Sequence, residues 1–244
     1  MAWLLNLLQL PLNFALPRRC FGCGDIMGDG RGFCPMCWAG LDHLPIEGCA
    51  LCRAPMSLEG AVCATCLHQP PQHDGVLAAL GYGEVARTLV LRLKYGRRLG
   101  CAAVMASLLE PRARLFPDAL LVPVPLHRWR IWGRGFNQSH LIAAAIARQT
   151  GQTLYAEMLK RPKRTRPLGT LSRRARAREV KAAFAINPRF QPNLLGRDVL
   201  LVDDVYTSGA TANSCAAVLK KAGAAKVYVL CWARVLHAKE GVDF

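Results

Sequence analysis

Acidic residues are scarce in this sequence and aromatic ones scarcer: 16 Asp and Glu stand against 32 Lys and Arg, and aromatics make up 7% of 244 residues. Long apolar runs are missing too, and no stretch reaches the length that a membrane-spanning helix needs. The segment Met1 to Leu16 is apolar but carries a polar stripe, Asn6, Gln9 and Asn13. It has no basic residues ahead of it, and Arg18 and Arg19 follow. These features predict a short docking helix, bent near Pro11, in place of an export signal. Without export, eleven cysteines do not read as the disulfide framework of a small secreted protein. Charge is low as well, at 20%, beside 52% hydrophobic residues, which excludes a disordered chain.

The net charge of +16 lies in one part of the chain. Residues 1–72 hold four basic and five acidic side chains, so the excess sits in residues 73–244, with 28 basic against 11 acidic. An asymmetry on that scale points to a polyanionic partner or substrate for the second part. Pro70-Pro71 marks the expected linker, dividing the chain into domains at 1–72 and 73–244.

The first part is organised by a repeat. Cys20, Cys23, Cys34 and Cys37 have the spacing x₂, x₁₀, x₂, and Cys49, Cys52, Cys63 and Cys66 repeat it. Each Cys-x-x-Cys turn aims two thiolates at one point, and two turns complete a tetrahedral S₄ site. Two structural Zn²⁺ ions are expected, each closed by four sulfurs, supplying folding energy that such small ribbons cannot raise from a core. Iron in a similar site and disulfides stay open as alternatives, and so does a crossed pairing of the knuckles. Cys101, Cys215 and Cys231 stand singly among apolar neighbours and read as packing residues.

From residue 73 onward strands and helices alternate, as in an α/β domain with a mostly parallel sheet flanked by helices. Strands are expected at Gly75 to Tyr82, Ala119 to Val124, Ala182 to Ile186 and Lys226 to Trp232. Helices are expected at Glu84 to Tyr95, which carries Lys94, at Leu99 to Leu109, stopping before Pro111, and at Ser139 to Gln149. Between strand and helix lies His127 to Gln138, read as a Gly-punctuated loop in which Arg128, Arg130 and Arg134 interleave with Trp129 and Trp132. Arginine forks suit pyrophosphate, and arginine alternating with indole suits stacked single-stranded nucleic acid. A solvated basic loop is the plainer alternative. Leu159 to Lys181 is a second basic run, including Arg161, Arg173 and Arg178, with Pro162, Pro167 and Gly169 favouring a loop.

The richest stretch is Val199-Leu200-Leu201-Val202-Asp203-Asp204-Val205-Tyr206-Thr207-Ser208-Gly209-Ala210-Thr211. Four apolar residues read as a strand buried on both faces. Two carboxylates end it, where open α/β sheets bind ligands. A hydroxyl-rich turn and a helix from Ala212 to Lys221 follow, so backbone N–H groups, hydroxyls and a helix N-terminus converge, as a phosphate monoester requires. Carboxylates beside a phosphate cradle are awkward unless they face sugar hydroxyls or a divalent cation. The segment therefore predicts a phosphorylated, hydroxyl-bearing ligand with Mg²⁺.

This stretch resembles the signature of the type I phosphoribosyltransferases, which bind 5-phosphoribosyl-1-pyrophosphate (PRPP). Tyr206 is its one departure, at a position usually held by a smaller aliphatic residue. With the paired ribbons and the Arg-Gly-Phe-Asn-Gln segment, Arg134 to Gln138, the chain resembles the ComF/GntX family of predicted phosphoribosyltransferases. That resemblance implies a type I phosphoribosyltransferase fold behind a double zinc ribbon, in the bacterial cytoplasm, with a link to DNA uptake. It implies that Val205, Tyr206, Thr207, Ser208, Gly209, Ala210 and Thr211 form the PRPP loop, with Thr207 to Thr211 cradling the 5′-phosphate. Asp203 and Asp204 would hold the ribose hydroxyls, directly or through Mg²⁺. Lys94, Arg128, Arg130, Arg134, Arg161, Arg173 and Arg178 become candidates for pyrophosphate or nucleic acid, and the Lys160 to Arg178 loop for a cover over the site. Relatives carry glutamine where Leu168 stands and asparagine where Glu179 stands. The acceptor is left open. Single-stranded DNA and a protein docked on the ribbons are the other expected partners.

Overall fold

A computed structural model describes residues 18–27, 32–58, 60–162 and 182–236. The expected docking helix, Leu168, Arg173, Arg178 and Glu179 lie outside the described residues, as does most of the expected cover loop. Among the described residues no helix is long and apolar enough to cross a membrane.

The elements in chain order are α1 (Pro35–Ala39), α2 (Ala64–His68), β1 (Val76–Gly81), α3 (Glu84–Lys94), α4 (Gly100–Ala113), β2 (Leu120–Pro123), α5 (Arg128–Arg134), α6 (Gln138–Thr150), β3 (Leu159–Lys160), β4 (Ala185–Ile186), β5 (Val199–Tyr206), α7 (Ala210–Lys221) and β6 (Val227–Arg234). A 3₁₀ turn, Pro188–Leu194, precedes β5. Four strands form a parallel sheet in the order β1-β6-β5-β2, and β3 pairs antiparallel with β4. This is the expected α/β fold of the type I phosphoribosyltransferases, set behind two ribbons.

Strand alternation explains the layers. Leu200 and Val202 of β5 enter a core with Leu89 of α3, Met105 of α4 and Ile142 of α6. Val199 and Leu201 face the other way, into a core with Cys215 and Leu219 of α7 and with Met158 and Leu194. A strand apolar on both faces is thus buried on both faces, as its four-residue run required. The chain leaves β2 toward the α6 layer but leaves β5 toward the α7 layer. β2 and β5 are neighbours, so a crevice opens between their carboxyl ends.

Two sequence expectations need correction. The helix expected to stop before Pro111 runs through it to Ala113. A proline in the last turn forfeits only one backbone bond. Arg112 then donates to the Leu44 carbonyl (2.6 Å) and Arg114 to that of Gln149 (2.9 Å), holding the turn in place. The loop expected at 127–138 contains the short helix α5, with the His127 side chain capping the Trp129 N–H at its start. Gly135 closes it with φ +88°, a conformation that the missing Cβ permits. Near the carboxylates, β5 continues through Asp203 and Asp204 to Tyr206, and α7 begins at Ala210.

Candidate functional site

The β5–α7 turn encloses an open cleft of ≈ 310 Å³ lined by Asp203 and residues 205–212. Gly209 takes φ +74°, and a Cβ there would collide with the Tyr206 hydroxyl. Glycine is thus required by both backbone and space. The Ser208 Oγ is buried and finds no hydrogen-bond partner among the described residues, an orphaned donor at the helix entrance. Buried hydroxyls are normally satisfied, so this one is suited to an anion's oxygen.

The two carboxylates differ sharply. Asp203 Oδ1 accepts from Ser139 Oγ (3.0 Å) and from the Asp204 N–H (2.9 Å). Burial first, and then the adjacent Asp204 charge, push Asp203 up to about 7, against the lowering influence of Lys94. Asp204, 4% exposed, forms an ion pair with Lys94 from the last turn of α3. Lys94 therefore sits on the carboxylate pair. Ser139 reaches Asp203 because Asn137 caps α6, accepting from the Ser139 N–H (3.1 Å) and donating to the Val124 carbonyl just past β2 (3.0 Å). Sequence reasoning missed Ser139. Its signal was an Asn N-cap two residues before it, within a motif already noticed.

The basic candidates separate into groups. Arg134 bonds Gln138 and stacks over the Tyr95 ring, next to Lys94. Burial, and then the Arg134 charge, hold Arg130 below its ordinary value, so these two arginines crowd together at one end of α5. Arg128 is exposed. Trp129 and Trp132 meet edge to face at 5.6 Å, and Trp132 is 82% exposed. Arg161 is buried over the Phe184 ring, on the α7 side of the sheet, and so belongs to that layer's packing.

Each ribbon gathers its four sulfurs within 4.8 Å of one another, Cys20 with Cys23, Cys34 and Cys37, and Cys49 with Cys52, Cys63 and Cys66. The pairing is sequential, which spacing had left open. Cys23 to Cys34 is 3.8 Å and Cys52 to Cys63 is 3.9 Å between sulfurs. A tetrahedron with Zn–S bonds of ~2.3 Å has edges of about 3.8 Å, so both sets fit zinc. Backbone N–H groups support the thiolates: Cys34 N–H donates to Cys20 Sγ (3.2 Å) and Cys63 N–H to Cys49 Sγ (3.3 Å). Burial opposes ionisation there, but such backbone donors outweigh it and hold Cys20 and Cys49 down to about 6. None of the eleven cysteines is in a disulfide, and Cys101, Cys215 and Cys231 are buried as packing residues.

Two arginines that sequence reasoning did not single out fasten the ribbons. Arg92 of α3 donates to the Phe21 carbonyl (2.6 Å) and to those of Cys20 and Cys23. Arg234, at the end of β6, donates to the Cys52 carbonyl (2.7 Å) and to Cys52 Sγ (3.1 Å). Arg234 is the register partner of Tyr206 across the parallel strands, and its guanidinium lies over that ring, 5.2 Å from the centroid. His73 completes the group. Its Nδ1 faces the Gly75 N–H and therefore accepts, so Nε2 carries the proton and donates to the Tyr206 oxygen (3.0 Å). Burial, and then the Arg234 charge, hold His73 down to about 4, neutral at physiological pH. The signal for Arg234 was a lone charge ending an otherwise apolar strand.

Comparison with known proteins adds four findings. Residues 11–67 match a family model described as a double zinc ribbon domain. The chain is 33% identical to the DNA utilization protein YhgH of Salmonella typhimurium, over 84% of this chain and 91% of that protein. It is 30% identical to competence protein F of Haemophilus influenzae, over 88% of this chain and 96% of the relative. A solved structure titled as the allosteric regulatory enzyme of purine biosynthesis overlaps 53% of this chain and 25% of its own, at 19% identity and a TM-score of 0.35. That last likeness is too slight to carry an argument.

Proposed function

The chain belongs to the ComF/GntX family, and on that premise we propose that it binds PRPP with Mg²⁺ at the carboxyl end of β5 and transfers the phosphoribosyl group to an acceptor. The observation that carries this reading is the β5–α7 turn: an orphaned buried hydroxyl at Ser208 and the φ +74° of Gly209, beside two carboxylates at a crevice. Phosphate oxygens would take the Ser208 hydroxyl and the backbone N–H groups of the turn. Ribose hydroxyls would lie against Asp203 and Asp204, with Ser139 holding the first carboxylate in place.

Transfer breaks the bond from C1 to the pyrophosphate oxygen, which leaves with the electron pair. A bond from C1 to the acceptor's nucleophile forms, and the acceptor's proton passes to solvent or to pyrophosphate. The ring becomes oxocarbenium-like on the way, and carboxylates nearby favour that charge. Asp203 and Asp204 are the residues that would hold Mg²⁺, which would supply Lewis-acid neutralisation of the leaving group. Lys94 must then give up Asp204 or share it, and its ammonium becomes available to pyrophosphate beside Arg134. Calorimetric titration of PRPP and Mg²⁺ into the zinc-loaded protein tests the reading. Saturable binding that the Asp203→Asn/Asp204→Asn variant lacks supports it, and absence of binding by folded wild type rejects it.

A second reading rests on the surface of α5. Trp132 stands 82% exposed beside exposed Arg128, and a base stacked on indole with phosphates on arginine suits single-stranded DNA. Relatives named for DNA utilization and competence support a role near DNA. Binding that weakens steeply as salt rises is the expected signature, and a flat salt response excludes it.

A further inference from the structure

We propose that Arg234 is a positioning residue through which the second four-cysteine site and the phosphate turn are reciprocally linked. This rests on the PRPP reading of the β5–α7 turn. Arg234 is 8% exposed and spends its guanidinium on three neighbours: the Cys52 carbonyl, the Cys52 sulfur and the Tyr206 ring. Tyr206 lines the cleft, and its hydroxyl stands against Gly209, so the turn cannot change its φ without moving that ring. His73 holds the same hydroxyl from the other side, and Gln72, next to it, donates its N–H to Asn213 in the first turn of α7 (2.8 Å). A continuous set of contacts thus runs from a metal-ligating sulfur to the phosphate turn.

The two end states differ in contacts. With the second ribbon folded on its metal, Arg234 is fixed by two acceptors on Cys52 and lies over the Tyr206 ring. Without the metal such a ribbon loses its fold, both acceptors go, and a buried guanidinium must find others. Tyr206 then loses its ceiling and the turn its reference. Among the described residues the first ribbon is fastened through Arg92 to backbone carbonyls by way of α3, an arm that leads through Lys94 to the carboxylates and not to Tyr206. Thermodynamic reciprocity requires that phosphate binding also strengthen the second metal site.

The test follows zinc release from the full-length protein to a chromophoric chelator in excess Mg²⁺, with and without saturating PRPP. The expected result is that PRPP slows release of one zinc equivalent at least fivefold and the other by less than twofold. In a Cys34→Ser protein, which keeps only the second site, the slowed equivalent remains. Arg234→Lys keeps both zinc ions but loses the slowing, with PRPP affinity about tenfold weaker; Tyr206→Val does the same if the lysine variant fails to fold. PRPP that binds wild type and leaves both release rates unchanged overturns the link. Should wild type bind no PRPP, the substrate reading fails by itself, and amide hydrogen exchange at residues 206–211 decides the link. Exchange at least tenfold faster in Arg234→Lys, and unchanged in Cys34→Ser, upholds it; equal exchange in all three proteins overturns it.

Discussion

The two ribbons share one cysteine spacing and the same N–H···S support, yet the rest of the protein treats them differently. In the first, Cys20 is buried and Cys23 exposed, and a half-buried arginine on α3 holds three carbonyls. In the second, Cys49, Cys52 and Cys66 are all buried, and a buried arginine from the sheet bonds a ligand sulfur. Spacing decides how a metal is held. Fastening decides what the metal can influence. The first ribbon reaches the carboxylates by way of α3, where Arg92 lies two residues before Lys94. The second reaches the β5–α7 turn by way of β6.

Losing a metal site should expose the contrast most strongly. Cys49→Ser is expected to lower the melting temperature by about 10 °C or more and Cys23→Ser by about half that, with one zinc lost from each. Equal drops in melting temperature by calorimetry, with one zinc gone from each by metal analysis, would break the comparison. The arginines come next. Arg234→Ala should cost about 3 kcal/mol, since it strands buried acceptors, and Arg92→Ala about 1 kcal/mol, read from urea midpoints at unchanged slope.

A pH experiment isolates the arm through α3. Folding raises Asp203 from the ordinary 3.8 to about 7. The folded protein therefore holds that proton more tightly than the unfolded chain. The resulting stability is complete below 3.8 and is withdrawn as pH rises toward 7. Asp203→Asn should accordingly be more stable than wild type at pH 8, with the advantage shrinking at pH 5. Binding of Mg²⁺ with PRPP needs the ionised carboxylate, so affinity should climb with pH and level off above about 7. Lys94→Met removes a charge that lowers Asp203, so its affinity profile should shift to higher pH. An unmoved profile would detach α3 from the carboxylates. The smallest effect belongs to Tyr206→Phe, which loses only the His73 bond and should cost about 1 kcal/mol in thermal unfolding.

Local pattern was enough to read several features from the sequence. The run Val199 to Val202 is apolar at every position, so both faces of β5 had to be covered, and the sheet had to be parallel with helices on each side. The eight cysteines declared two S₄ sites because chelation geometry is set by residues three apart in one turn. The proposed anion site in the Thr-Ser-Gly turn was legible for the same reason: its donors come from consecutive residues.

Other features depend on contacts that no local pattern encodes. Pro111 signals a helix end, but α4 passes through it because Arg112 and Arg114 find carbonyls on other elements. Identical spacing cannot say which knuckles share an ion, since that depends on how the chain folds back between them. Ser139, His73 and Arg234 are ordinary residues until the fold brings them to Asp203, Tyr206 and Cys52, across 64, 133 and 182 positions of sequence. The sequence by itself determined the chemistry of each site, because ligand geometry is built from neighbouring residues. Only the tertiary structure decided that Cys52 and Tyr206, at the start of the β5–α7 turn, share an arginine, because the register of β5 against β6 is a property of the sheet.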